Sequence, residues 1–127
     1  AKIHSNIDFL GYLPKNKVIP LIRGSFALIQ PSLAEGISST ILEAMACKIP
    51  IIASNVGGNK ELIIDNENGF LINPQDVDEL NKKIIQLSKD DKLVEIFGQK
   101  SSELIKNFQW SSIGKKYLEL YESLLIQ

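Results

Sequence analysis

The sequence has little of what several common functional classes need. Its 127 residues include one cysteine and one histidine, which excludes a disulfide framework and any ordinary zinc site built by this chain alone. The formal net charge is −1, from 14 basic and 15 acidic side chains. The chain therefore lacks the excess of basic residues with which nucleic-acid-binding proteins contact phosphates. No apolar run approaches the roughly 20 residues of a membrane span.

What is present is typical of one globular domain. The chain is 44% apolar and 23% charged, as in folded domains and unlike disordered or fibrous chains. Its length is slightly below the roughly 150 residues expected per domain, enough to bury about two-thirds of the unfolded surface. It begins at Ala1 without an initiator methionine, signal peptide or targeting motif. We therefore expect either a processed chain or a piece of a longer protein.

Short apolar runs alternate with stretches of helical period in the first 73 residues. Strands are predicted at residues 7–10, 26–29, 49–53 and 70–72. Helices are predicted between them at 17–23, 40–47 and 60–64. Strands that are apolar on both faces and alternate with helices favour an α/β fold, in which helices cover both faces of a parallel sheet. In such sheets ligands bind beyond the carboxyl ends of the strands.

After Pro74 only helical periodicity remains, which predicts a helical C-terminal tail. Asp76, followed by Glu79 three residues later, has the pattern of a capping box. Ser111 or Ser112 could cap the last helix. Core or domain-docking roles are expected for the aromatic residues of this part, Trp110, Tyr117 and Tyr121.

The stretch 31–47 is the most informative about function. It starts where a strand ends, passes Gly36 and three hydroxyl residues, and continues into an apolar helix. Free backbone N–H groups at a helix N-terminus bind anions such as phosphate. Gly36 permits close approach of the backbone to a ligand, and Ser38, Ser39 and Thr40 add hydroxyl donors. The Gly57-Gly58 pair further along is expected to be a flexible connection.

Two carboxylates bracket this turn, Glu35 in the loop and Glu43 on the first helical turn. Because a carboxylate only accepts hydrogen bonds, each suits a ligand with hydroxyl groups, such as a sugar or a ribose. The spacing leaves a second interpretation open, in which Glu43 complements the helix dipole and Glu35 is a solvated loop charge.

Several motifs follow one another in a recognisable order. The central ones are EGIS at 35–38, EAMAC at 43–47, IPIIAS at 49–54 and VGG at 56–58. They are flanked by FLGYL at 9–13, NGFL at 68–71 and FQW at 108–110. In this order the motifs resemble the carboxyl-terminal domain of the family 4 retaining glycosyltransferases, a Rossmann-like domain of the GT-B fold. The resemblance covers nearly the whole chain.

The resemblance implies a role for each matching residue. Glu35 matches the glutamate that lies against the transferred sugar and stabilises its developing positive charge. Glu43 matches the glutamate that binds the ribose hydroxyls of the nucleotide. The positions that face the donor sugar and diphosphate, or open the helix beside them, are Gly36, Ile37, Ser38, Ser39 and Thr40. The implied donor is a nucleotide-diphospho-sugar such as a UDP- or GDP-sugar. No cofactor or metal is expected, because a helix N-terminus can stabilise the leaving diphosphate.

The sequence departs from the family pattern at several positions. Ile37-Ser38 stands where Phe-Gly is frequent, and Lys60 stands where proline is common. Lys48 stands where glycine or another small residue is usual. Because a lysine disfavours a left-handed turn, the backbone at Lys48 is expected to differ from the family's.

The resemblance also implies a domain organisation. Residues 1–127 would be one domain, the truncated C-terminal, donor-binding half of a GT-B glycosyltransferase of polysaccharide or glycan biosynthesis. The N-terminal acceptor domain would be absent, together with basic residues that hold the diphosphate, so the chain alone is expected to be inactive. Its partners would be the nucleotide-sugar donor and that missing domain, with no nucleic acid and no transmembrane segment. Such an enzyme is cytoplasmic, with peripheral attachment to the inner membrane face through the missing domain left open.

Other interpretations compete with these. A non-catalytic Rossmann-like module, such as a receiver domain, needs a carboxylate at a strand end, whereas the strands here end in Pro31-Ser32 and Ser54-Asn55. A regulatory partner of an active transferase would keep the fold without the chemistry. Asp76-Val77-Asp78 matches a metal-binding tripeptide, but its context favours an N-cap. His4 and Cys47 lack a catalytic partner nearby in the sequence.

Overall fold

A parallel sheet of three strands forms the centre of the fold. The computed structural model describes residues 6–126, in which β1 (Leu28–Gln30), β2 (Ile51–Ser54) and β3 (Gly69–Ile72) lie in the order β1-β2-β3. Ile52 of β2 pairs with Ile29 on one side and with Phe70 on the other. Because the strands are parallel, their carboxyl ends lie at one edge of the sheet, as predicted.

Helices connect the strands and continue beyond the sheet. Those of the first half are α1 (Lys15–Arg23), α2 (Ser39–Ala46) and α3 (Asn59–Leu62). Those of the second half are α4 (Val77–Ser88), α5 (Asp91–Leu104), a 3₁₀ turn (Ile105–Phe108) and α6 (Trp110–Leu125). The predicted helical tail is confirmed. None of the helices found between residues 6 and 126 has the length and apolar character to cross a bilayer.

Helices cover both faces of the central strand β2. Ile51 and Ala53 pack into a cluster with apolar residues of α1, α2 and α3. Ile52 points to the other face, where it packs with Phe70, with Leu87 of α4 and with Phe97 of α5. This alternation follows from the period of two in a strand. The predicted three-layer α/β architecture is therefore confirmed.

The predicted strand at residues 7–10 does not form. Within residues 6–126 this segment pairs with no strand, and Phe9 is 81% exposed. An apolar run indicates burial, but a strand also requires a neighbour that accepts and donates its backbone hydrogen bonds. The described sheet therefore has three strands where about four were expected. His4 lies outside the described residues.

The helix caps agree with the sequence in one case and differ in another. Asp76 is the N-cap of α4, where its Oδ1 accepts the Glu79 N–H at 2.8 Å. The predicted capping box is only half formed, because the Glu79 carboxylate accepts the Asn73 N–H and not the Asp76 N–H. The interpretation of Asp76-Val77-Asp78 as the start of a helix is thus confirmed. The predicted serine cap of α6 is wrong, because the helix begins at Trp110, earlier than expected, and both serines lie in its first turn. The N-cap residue is Gln109, which makes no side-chain cap bond.

The helix α6 lies on the surface. It has no buried residue, and Trp110 is 86% exposed. Tyr117 and Tyr121 stack against each other at 6.3 Å between ring centroids, and both are exposed. The expectation that these aromatic residues belong to the core is therefore wrong, because α6 packs against the 3₁₀ turn and still leaves these side chains exposed. Their docking role stays a prediction.

Lys48 adopts the left-handed conformation that was expected to be lost. Its φ is 60°, immediately after the C-cap residue Cys47 of α2. The Lys48 carbonyl packs so closely against Gly98 of α5 that a Cβ at Gly98 would collide with it. The predicted difference in the backbone is thus wrong, because the packing of this turn outweighs the strain of a side chain in the left-handed region.

We expect the substitution Lys48→Gly to stabilise the domain. A glycine removes the left-handed strain but makes the unfolded chain more flexible, which leaves a net gain of about 0.5–1 kcal/mol. The measurement is the urea dependence of the free energy of unfolding. Lys82→Gly, at an exposed position in the middle of α4, is the matched control and should lose about 1 kcal/mol. A loss of stability in both variants would contradict the strain argument.

Candidate functional site

The loop 31–38 joins the carboxyl end of β1 to the start of α2. Gln30 is the last residue of β1, and Pro31 then ends the strand because it has no N–H for the sheet. Ser38 is the N-cap of α2. The loop therefore places Glu35 at the sheet edge where ligands of parallel α/β sheets bind, as expected for a stretch that starts where a strand ends.

One oxygen of Glu35 is held by two side chains. Gln30 Nε2 donates to Glu35 Oε1 at 2.8 Å, and Ser32 Oγ donates to the same oxygen at 2.7 Å. Hydrogen bonds to a carboxylate are about twice as strong as neutral ones. The other oxygen, Oε2, has no hydrogen-bond partner among residues 6–126. The half-buried Glu35 is thus a positioned carboxylate with one free oxygen, which disfavours its interpretation as a solvated loop charge.

The start of α2 has two kinds of hydrogen-bond donor. The Ser38 hydroxyl accepts the Ile41 N–H at 3.3 Å and donates to Gln30 Oε1 at 3.1 Å, so its proton is already engaged. Ser38 is also only 6% exposed. The backbone N–H groups of Ser39 and Thr40, the first two helical residues, have no acceptor inside the helix. These two N–H groups are therefore the donors that α2 offers to an anion.

The loop after β2 packs against the backbone of the Glu35 loop. Gly57 has φ +48°, and a Cβ there would collide with the Glu35 carbonyl oxygen. A Cβ on Gly58 would come within 2.5 Å of the Gly36 carbonyl oxygen. The expectation of a flexible connection is wrong, because the two glycines allow a close contact between two loops. Gly36 itself faces open space, since no atom of residues 6–126 lies within 4 Å of the position of a Cβ.

Glu43 lies on the second turn of α2, not on the first as expected, because the helix already begins at Ser39. The first turn contains no acidic residue, and the effect of the helix dipole falls off beyond that turn. The dipole interpretation of Glu43 therefore loses its support. Its Oε1 lies 3.2 Å from Lys15 Nζ, and its side chain is 20% exposed.

Three residues that contact the two glutamates were not predicted from the sequence as site residues. Gln30 and Ser32 contact Glu35, and Lys15 contacts Glu43. A polar residue at the end of an apolar strand is a usable signal for Gln30 and Ser32. Lys15 follows a proline at the start of a helix and gives no comparable signal. Within residues 6–126, no cluster of three His, Cys, Asp or Glu side chains forms a metal site.

Comparison with known protein families gives a consistent match. Residues 1–104 match the family model described as "Glycosyl transferases group 1". An uncharacterized glycosyltransferase of Methanocaldococcus jannaschii is 33% identical over 120 residues, which cover 94% of this chain and 34% of that protein. The chain thus spans about a third of the length of the curated relatives it matches.

Solved structures with the same fold belong to larger chains. Sucrose-phosphate synthase from Thermosynechococcus elongatus matches with a TM-score of 0.83 at 29% identity, over 94% of this chain and 30% of that one. HepE of Anabaena, in complex with UDP-glucose, matches with a TM-score of 0.75 at 27% identity, over 83% and 30% of the two chains. Together with the match over residues 1–104, these similarities show that the chain belongs to the group 1 glycosyl transferases, with a Rossmann-like domain of the GT-B type.

Proposed function

We propose that this chain is the donor-binding domain of a retaining, family 4 glycosyltransferase, which transfers a hexose from a nucleotide-diphospho-sugar to an acceptor. The observation that carries the proposal is the position of Glu35, which is fixed at the carboxyl edge of the sheet, one short loop before the N-terminus of α2. The complex of the similar HepE structure with UDP-glucose supports a nucleotide sugar as the donor.

The chemistry needs stabilisation of two opposite charges. When the bond between the sugar C1 and the diphosphate breaks, negative charge develops on the leaving group and positive charge on the sugar. The free N–H groups of Ser39 and Thr40 would stabilise the diphosphate, and the free Oε2 of Glu35 would stabilise the sugar. The acceptor oxygen then bonds to C1 on the face that the diphosphate leaves, and the acceptor proton passes to the diphosphate oxygen that has left C1.

The remaining residues of the proposed site bind the donor. Gly36, Ile37 and Ser38 would present their backbone to the sugar and diphosphate, and the open space beside Gly36 leaves room for this approach. Glu43 would accept hydrogen bonds from the ribose hydroxyls, with Lys15 moving away from its carboxylate or sharing it. No metal or further cofactor takes part in this proposal, since backbone N–H groups supply the stabilisation of the leaving group.

The acceptor site is proposed to lie on the other domain of a two-domain enzyme. The curated relatives are about three times as long as the part they share with this chain. We therefore assign acceptor choice, and any peripheral contact with the inner face of a membrane, to that other domain of a cytoplasmic enzyme.

The first test is turnover of a nucleotide sugar by the full-length protein. With UDP-glucose or GDP-mannose and a panel of sugar acceptors, nucleoside diphosphate should be released and the glycosylated acceptor should keep the configuration of the donor C1, as read by proton NMR. Chelation with EDTA should leave the rate unchanged. The 127-residue chain alone should show no turnover in the same assay.

Each result of that test has a defined meaning. Inversion at C1 would contradict the retaining mechanism, and loss of turnover with EDTA would contradict metal independence. Turnover by the 127 residues alone, at the rate of the full-length protein, would contradict the assignment of the acceptor site to another domain. Absence of turnover by the full-length protein with both donors and every acceptor of the panel would contradict the choice of UDP-glucose or GDP-mannose as the donor.

A further inference from the structure

An uninterrupted series of hydrogen bonds links the first turn of α2 to Glu35. The Ile41 N–H donates to Ser38 Oγ, and the Ser38 hydroxyl donates to Gln30 Oε1. Gln30 Nε2 in turn donates to Glu35 Oε1. Among residues 6–126, Gln30 is therefore the one side chain that joins the helix cap to the proposed sugar-facing carboxylate through hydrogen bonds.

The chemistry of these groups fixes the direction of the series. The Ser38 hydroxyl has one proton, and its oxygen already accepts the Ile41 N–H. It therefore needs an acceptor, which the amide oxygen of Gln30 provides. The amide then points its N–H₂ group at Glu35, whose carboxylate can only accept. A glutamine satisfies both neighbours at once, whereas a glutamate or an apolar residue of similar size cannot.

We infer that Gln30 is a positioning residue, which orients Glu35 so that Oε2 stays free for the sugar while Oε1 is held at the sheet edge. This inference rests on the proposed function, because it gives Gln30 a role only through Glu35. It also couples the two ends of the proposed site, since the same glutamine is bonded to the cap of the helix whose first N–H groups would bind the diphosphate.

Two substitutions of Gln30 separate positioning from a structural role. Gln30→Glu keeps the shape and the acceptor for the Ser38 hydroxyl but places a second carboxylate beside Glu35. Gln30→Met keeps the approximate volume and removes both hydrogen bonds. If Gln30 only supports the helix cap, Gln30→Glu is the milder change. If it positions Glu35, Gln30→Glu is the more severe one.

The measurement is the release of nucleoside diphosphate by the full-length protein, with whichever of UDP-glucose or GDP-mannose it turns over. We expect Gln30→Met to lower kcat about 10- to 100-fold, as for the loss of one hydrogen bond to a charged group, while the donor KM changes less than about threefold. Gln30→Glu should lower kcat further. The matched control Gln99→Met, at an exposed position of α5, should behave as the wild type.

The outcomes distinguish this inference from the proposed function. A kcat of Gln30→Glu equal to or above that of Gln30→Met would overturn the positioning role, as would an effect confined to KM. In a Glu35→Ala background, Gln30→Met should change kcat much less than it does in the wild type, because only the contact of Gln30 with the Ser38 cap is then left to lose. If Glu35→Ala alone leaves kcat unchanged, the proposed function fails. If Glu35→Ala slows turnover and the Gln30 variants do not, only the present inference fails.

Discussion

Replacing Glu35 by alanine in the full-length protein should lower kcat about 10²- to 10³-fold, the loss expected when one preorganised electrostatic group is removed from a transition state. The effect should fall mainly on kcat, because the positive charge that Glu35 faces develops only as the bond to the diphosphate breaks. The donor KM should change little, since the nucleotide would be held by α2 and Glu43.

Steady-state release of nucleoside diphosphate measures this effect, and two further variants define its cause. Glu35→Gln keeps the size of the side chain but removes its charge, so its kcat should lie near that of Glu35→Ala. Glu95→Gln, at an exposed position of α5, changes the net charge equally and should leave kcat unchanged. Full activity of Glu35→Gln would mean that the charge of this side chain plays no part in transfer.

The architecture was predictable because its signals are local. The apolar runs that form β2 and β3 are short, lie between turn residues and are buried on both faces, so they identify a covered parallel sheet without further information. The expected strand at 7–10 has the same local pattern but no partner among residues 6–126. Pairing depends on a neighbour that the run itself does not specify.

The site was predictable at the level of motifs but not of contacts. Glu35 and the start of α2 follow from the change of a strand into a loop and then a helix. The hydrogen bonds from Gln30 and Ser32 to Glu35 depend on side-chain directions within a tight loop, which the spacing of residues in the sequence does not determine. The left-handed conformation of Lys48 was also not predictable from the sequence, because tertiary packing easily overrides a conformational preference of about 1 kcal/mol.

Gly57→Ala should be the most disruptive single-methyl change near the site. The new Cβ would collide with the Glu35 carbonyl oxygen, and the residue would have to keep φ +48°. We expect a loss of about 2–4 kcal/mol, from about 1 kcal/mol of left-handed strain plus about 1–3 kcal/mol of overpacking. The loop that carries Glu35 must also shift, and a displacement of about 1 Å can lower kcat on the order of 10²-fold.

Two other glycines separate the strain from the collision. Gly11 also has a positive φ, +63°, but no atom of residues 6–126 lies within 4 Å of its Cβ position, so Gly11→Ala should cost only about 1 kcal/mol. Gly114 of α6 has open space and no positive φ, so Gly114→Ala should be neutral or stabilise the helix by up to about 1 kcal/mol.

Urea unfolding measures the stability of each glycine variant, and nucleoside diphosphate release measures its kcat. A Gly57→Ala variant no less stable than Gly11→Ala, with unchanged kcat, would show that the two loops do not need their close contact. If instead only Gly57→Ala loses both stability and turnover, the packing of one loop against the other fixes the backbone of the loop that carries Glu35, whose side chain is then held by Gln30 and Ser32.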